Sequence, residues 1–234
     1  MKPGNTITNT YDSSLQKAVK IAGLMFLLNF LAPTLNWIFV LSKLIVPGNA
    51  GGTTKNILAN QILFRTGITI ELLMSAGLVA LGLALYKILK TANKDLALLG
   101  LLLKLIEAAI VAVISLISFI ALLADNNTAG ILLNAHTAIY AIPMVFLGLD
   151  MVIFSFLFLK SKYIPGILAG FGIISFMLIF LHALMYILAP RLAVMPIYQI
   201  IFWTPSGLFE ILIGTWLLSK GIHSRTQHCN NETM

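Results

Sequence analysis

Apolar residues run in long blocks along this chain, and polar residues mark the breaks between them. Six blocks stand out, at about 20–42, 62–87, 96–124, 136–159, 165–188 and 197–219, each near the ~20 residues a helix needs to cross a bilayer. The third and fourth are separated by "DNNTAG" and a short apolar linker, the fourth and fifth by the tight "KSKYIPG". Pro165 in that turn has φ set for a helix start, where its missing N–H breaks no bond. The pattern predicts an all-α integral membrane protein, a bundle of six transmembrane helices over residues 17–221. A polar N-terminal tail at 1–16, rich in Thr and Asn and read as loosely ordered, precedes it, and a polar C-terminal tail at 222–234 follows. The first apolar run is long enough to act as a signal anchor.

Composition narrows the class. Of 234 residues, 59% are hydrophobic and 10% charged, against ~25% charged in soluble domains. Such a chain cannot hide its apolar surface from water, so membrane lipids are its expected surroundings. The net charge of +7 is spread along helix flanks, which fits headgroups rather than nucleic acid. With both termini cytoplasmic, Lys2, Lys17, Lys20, Lys87, Lys90, Lys94, Lys160, Lys162, Lys220 and Arg225 fall inside. Lys43, Lys55, Arg65 and Arg191 fall outside. That asymmetry predicts a multi-pass protein of the cell membrane with this orientation. Tyr86, Tyr163 and Trp216 then border the inner interface, and Tyr140, Tyr186 and Tyr198 the outer one.

Two further features shape the expected bundle. Pro33, Pro143 and Pro205 fall inside spanning segments, where each frees a carbonyl that a neighbour must satisfy. Gly166 and Gly170 in "GILAG" lie one turn apart, a small-residue face suited to close helix approach.

Several stretches resemble a family of bacterial membrane proteins, domain of unknown function 4386. "KIAGLMFLL" is similar to its opening helix, and "SKLIVPGNAGGTTKNILANQILFRTGI" to its outer loop and second helix. "LALYKILKTANKDLALL" resembles the second-to-third helix junction. His136, "FLG" at 146–148 and "KSKYIPGILAG" resemble the fourth and fifth helices. "PSGLFEILIGTWLLSKG", with Glu210 and Trp216, resembles the closing helix. The resemblance implies a polytopic membrane protein, carries no established activity, and does not extend to Asp150 or His182.

Ionisable residues inside the apolar blocks are the candidates for function, because a charge at the bilayer centre costs ~2.5–3.5 kcal/mol on insertion scales. Arg65, Glu71, His136 and His182 form an expected outer layer and candidate ligand-binding set. Lys104, Glu107, Asp150 and Glu210 form an expected buried polar layer nearer the mid-plane. Lys104 and Glu107 are three residues apart, share a helix face and can neutralise each other. Arg65 and Glu71 are six apart and point about 240° from one another, so each needs another partner. Headgroups or a ligand anion suit Arg65, and His136, His182 or a proton suit Glu71.

These residues leave several functions open. One is binding of a small amphiphile or anion in an outer-half pocket, with Arg65 as the anion contact. A second is a proton-linked transporter or channel using Glu71, Glu107 and Glu210. A third is a membrane haem protein or oxidoreductase, with His136 and His182 as axial ligands. The fourth is a structural or regulatory membrane partner. Among common catalytic and phosphate-binding motifs, GxxxxGK[ST], HExxH and GxSxG do not occur, and no catalytic residue is assigned. The single cysteine, Cys229, with His223 and His228 in the tail, is too little for a metal site.

Overall fold

The computed structural model describes residues 4–46, 49–124 and 126–222. Lys2, Arg225, His223, His228 and Cys229 lie outside the described residues. The first helix, α1, runs Gly4–Asn36, so helical backbone already begins within the segment set apart as a polar tail. One turn beyond Pro33 the helix loosens into a π-helical stretch, Trp37–Leu41, before a last turn, α2, at Ser42–Leu44. Pro33 removes one backbone donor, and a widened turn is a known way for a helix to absorb such an interruption. A short helix α3, Ala50–Ala59, precedes the second span, α4, at Gln61–Leu89. The third span is α5, Lys94–Ala121; then come α6, Asn126–Ile139, and the fourth span α7, Ala141–Ser161. The fifth span α8 is Gly166–Leu188, followed by one turn, α9, at Pro190–Ala193, and the sixth span α10, Pro196–Ser219.

Among the described residues, six helices are long and apolar enough to cross a membrane, so this is a multi-pass membrane protein. The fourth starts at Ala141, later than the apolar block predicts, because α6 takes up the linker and the first residues of that block. Pro143 therefore sits in the first turn of α7, where no helical bond is lost. Pro33 and Pro205 do lie inside their helices.

The spans close a ring in chain order. α1 packs on α4, α4 on α5, α5 on α7, α7 on α8, α8 on α10, and α10 returns to α1. Consecutive spans are antiparallel, so connections alternate between the two ends of the bundle. At one end both are tight turns. Asn93 caps α5 by accepting from the Leu96 N–H at 3.0 Å, and Lys162 ends α7 in the left-handed region at φ 59°. Pro165 acts as the cap before α8, with ψ 135°, rather than as its first helical residue. Thr91 and Tyr163 join the two turns through their hydroxyls, 2.9 Å apart.

The other end is covered. There α3 and α6 pack against each other, with Thr54 beneath Gly130. Asn49 caps α3 by accepting from the Gly52 N–H at 2.8 Å, and the Thr53 hydroxyl accepts from the Val46 N–H at 2.9 Å. These polar side chains give the connection a helical start, which is why it folds as a cap over the bundle.

On the outside, Ile21, Leu24, Leu28, Leu31 and Leu35 form an exposed apolar stripe at helical spacing. In water that stripe would be unfavourable, whereas hydrocarbon solvates it. Inside, Phe209 of α10 is fully buried, with Phe26 of α1 and Phe176 of α8 edge-on to it at 6.3 and 5.5 Å. Close approach in this region uses Gly172, whose place a Cβ could take only by overlapping Ser155 Oγ and the Phe209 ring. The expected face of Gly166 and Gly170 is not the one used. A Cβ on Gly170 meets nothing within 4 Å, and one on Gly166 only Leu159 at ordinary contact distance. The four-residue spacing identifies small residues but not which side of the helix meets a neighbour.

Candidate functional site

The buried polar layer comes together on α5 and α7. The ammonium of Lys104, fully buried, lies 2.7 Å from Glu107 Oε2 and 2.8 Å from Asp150 Oδ1. Lys104 and Glu107 meet because three residues bring side chains one above the other on a helix face. Asp150 reaches the same ammonium from α7. Gly82 of α4 makes room: a Cβ there would stand 3.0 Å from Lys104 Cγ. Asp150 is also fully buried, and its Oδ2 has no hydrogen-bond donor among the described residues. Glu210 of α10 is half-buried, on a span that packs against α1 and α8. One ammonium is thus held between two carboxyl groups from two spans.

A second buried carboxyl lies toward the covered end. Glu71 of α4 accepts at both oxygens, from Ser115 Oγ at 3.2 Å and from the Tyr140 hydroxyl at 3.1 Å. Its partners come from α5 and from the residue just before α7. These are neutral hydroxyls, which a search for ionisable residues passes over. An aromatic–serine pair flanking a buried acid carries no spacing signal in the chain, because all three residues sit on different helices.

The other members of the expected outer layer are held elsewhere. Arg65 is exposed, and its guanidinium carbon lies 5.5 Å from the centre of the Phe119 ring. His182, on α8, is buried and turned toward α9 and α10. The Trp203 indole N–H donates to His182 Nδ1 at 3.2 Å, which leaves the proton on Nε2, 3.2 Å from the Ala193 carbonyl it faces. Both ring nitrogens are engaged, so His182 offers no free lone pair to a haem iron in this arrangement. His136 is on α6, but its side chain lies outside the described residues. Among the described contacts, Arg65 meets Phe119, His182 meets Ala193 and Trp203, and Glu71 meets Ser115 and Tyr140. The packing is the reason: α8 borders α7, α9 and α10, and not α4.

With the geometry in place, comparison with known proteins fixes the family. The family model described as domain of unknown function (DUF4386) matches residues 21–221. The chain belongs to this family. Searches of curated proteins and of solved structures found no match. The DUF4386 match spans every helix that carries a buried charge, so both acidic sites belong to the family's domain and not to an appendage.

Proposed function

We propose that this DUF4386 protein is a proton-linked transporter or channel of the cell membrane, with the Lys104–Glu107–Asp150–Glu210 layer as its proton-binding site. The observation that carries this reading is a fully buried ammonium within ion-pair distance of both Glu107 and Asp150. One positive charge against the two carboxylates it touches is neutral only when a proton makes up the difference. In a low-dielectric bundle that neutrality matters, since uncompensated charge costs several kcal/mol per ion. Intramembrane acid clusters of this kind mark proton relays in pumps and transporters.

Two of the other readings lose their geometric support. The anion-binding reading makes Arg65 the anion contact, and Arg65 is exposed with its guanidinium over Phe119. Haem ligation needs a free imidazole nitrogen, and both of those on His182 are taken. The orientation we adopt puts the tight turns in the cytoplasm, since exposed Lys87, Lys90, Lys94, Lys160, Lys162 and Lys220 border that end.

The test uses purified full-length protein in lipid vesicles. An imposed potential should drive proton flux, and the infrared C=O band of protonated carboxyls should titrate with pH. Asp150→Asn keeps size and hydrogen bonding but cannot ionise. It should lose both signals while keeping its helix content. If the native protein shows neither flux nor a titrating band, the layer is only structural and the proposal is wrong.

A further inference from the structure

The two buried acids lie along one interface. Between α4 and α5, Glu71 meets Ser115, Ser75 donates to the Ala108 carbonyl at 2.9 Å, and Gly82 meets Lys104, in the order antiparallel packing requires. Ser115 and Glu107 are eight residues apart on α5, about 12 Å at the rise of a helix. Between those levels the interface is apolar except for Ser75, whose hydroxyl proton is committed to the Ala108 carbonyl. Leu78, Ala108 and Val111 form a separate buried cluster there, with Met74 and Val79 against it.

We infer that Glu71 is a second proton site, serving the covered end, and that Leu78 and Val111 are the barrier between it and the central layer. The inference rests on the proton-linked reading above. Glu71 has the features of a loading site: it is buried, hydrogen-bonded by two hydroxyls that can pass protons, and roofed by α3 and α6. Hydroxyls donate and accept in turn, whereas Leu78 and Val111 can do neither. A proton at Glu71 can therefore reach Glu107 only when the cluster parts or admits water. Such dewetted apolar constrictions gate conduction in other channels.

Among the described residues, these are the charged and titratable groups near Glu71 or on the helices that flank it. Tyr140 touches it from the start of α7. Lys104 and Glu107 lie further along α5, and Asp150 along α7. Arg65 is on its own helix, exposed and turned to Phe119. α6 brings His136, whose side chain is outside the described residues. The π-helical end of the first span brings Asn36, which is not titratable.

Proton flux into vesicles tests the inference with the full chain. The double variant L78S/V111S should leak protons several-fold faster than the native protein, and adding Glu71→Gln should bring the leak back down. Val111→Thr, almost isosteric with the native residue, gives a milder rise and guards against misfolding of the double variant. A leak that never rises in folded L78S/V111S or Val111→Thr overturns the barrier. A leak that rises but ignores Glu71→Gln overturns Glu71 as its proton site. The two proposals fail separately. A native protein that passes no protons removes the central-layer reading, while the serine variant still reads the barrier directly.

Discussion

The two halves of the ring are held by different physics. On one side, α4, α5 and α7 meet around Lys104, Glu107, Asp150 and Glu71, groups held by ion pairs and hydrogen bonds. On the other, α1, α8 and α10 meet around Phe26, Phe176 and Phe209, with glycines letting the backbones close in. Gly23 and Gly214 show this closeness, since a Cβ on either would come within 3.0 or 3.1 Å of the other's carbonyl oxygen. Tight apolar packing resists small displacements because interiors are packed like crystals. A charged layer can instead change its proton count without changing its volume. The difference points to the aromatic half as the frame and the charged half as the working part. Glu210 is the link between them, an acid on α10 next to Phe209.

The sharpest way to break this comparison is Lys104→Met. Removing one partner of a buried ion pair typically costs about 3–5 kcal/mol, because the remaining charge is left uncompensated. The expected outcome is a large fall in thermal stability in lipid or detergent. Replacing the whole layer, as Lys104→Met with Glu107→Leu and Asp150→Leu, should recover most of that stability, since apolar groups of similar volume often substitute for a buried ionic cluster. Proton flux should not return with it. A triple variant that is both stable and conducting would show that the charged half is merely another frame.

A smaller effect is expected in the aromatic half. Gly172→Ala puts a methyl against Phe209, and that ring is wedged between Phe26 and Phe176 and cannot swing away freely. Overpacking of this kind typically costs about 1–3 kcal/mol. Melting should record that loss while the pH response of the central carboxyl band is unchanged. A shifted pH response would mean the frame and the working part are coupled, through Glu210 beside Phe209.

What the chain reveals by inspection follows from how local each signal is. Six spans are legible because a run of apolar residues is a one-dimensional property. The Lys104–Glu107 pair is legible because three residues fix its geometry within one helix. Depth alone puts Asp150 near the level of Lys104, although depth does not say that Asp150 touches the ammonium. Glu71 is different. Its partners Ser115 and Tyr140 are neutral and distant in sequence, so only packing discloses them. The covering helices α3 and α6 are hidden for another reason: their Asn-, Gly- and Thr-containing stretches resemble loops, and the caps that make them helical are set by side chains such as Asn49.

Arg65 carries the smallest expected effect and sharpens the boundary of the charged half. It shares a helix with Glu71, yet it is exposed and lies over Phe119 at the margin of the bundle. Arg differs from Lys in its planar fork, which matters where two hydrogen bonds must be made at once. Here no acidic partner of Arg65 lies within ion-pair distance among the described residues. A ring face accepts either cation, and both side chains can carry their charge out to the headgroups on an apolar stem. Arg65→Lys should therefore change stability by no more than about 0.5 kcal/mol, as exposed substitutions away from special features do. Proton flux should be unchanged. A clear loss of flux in Arg65→Lys would mean that a bidentate contact forms at Arg65 during turnover, and the charged half would then extend to the membrane surface.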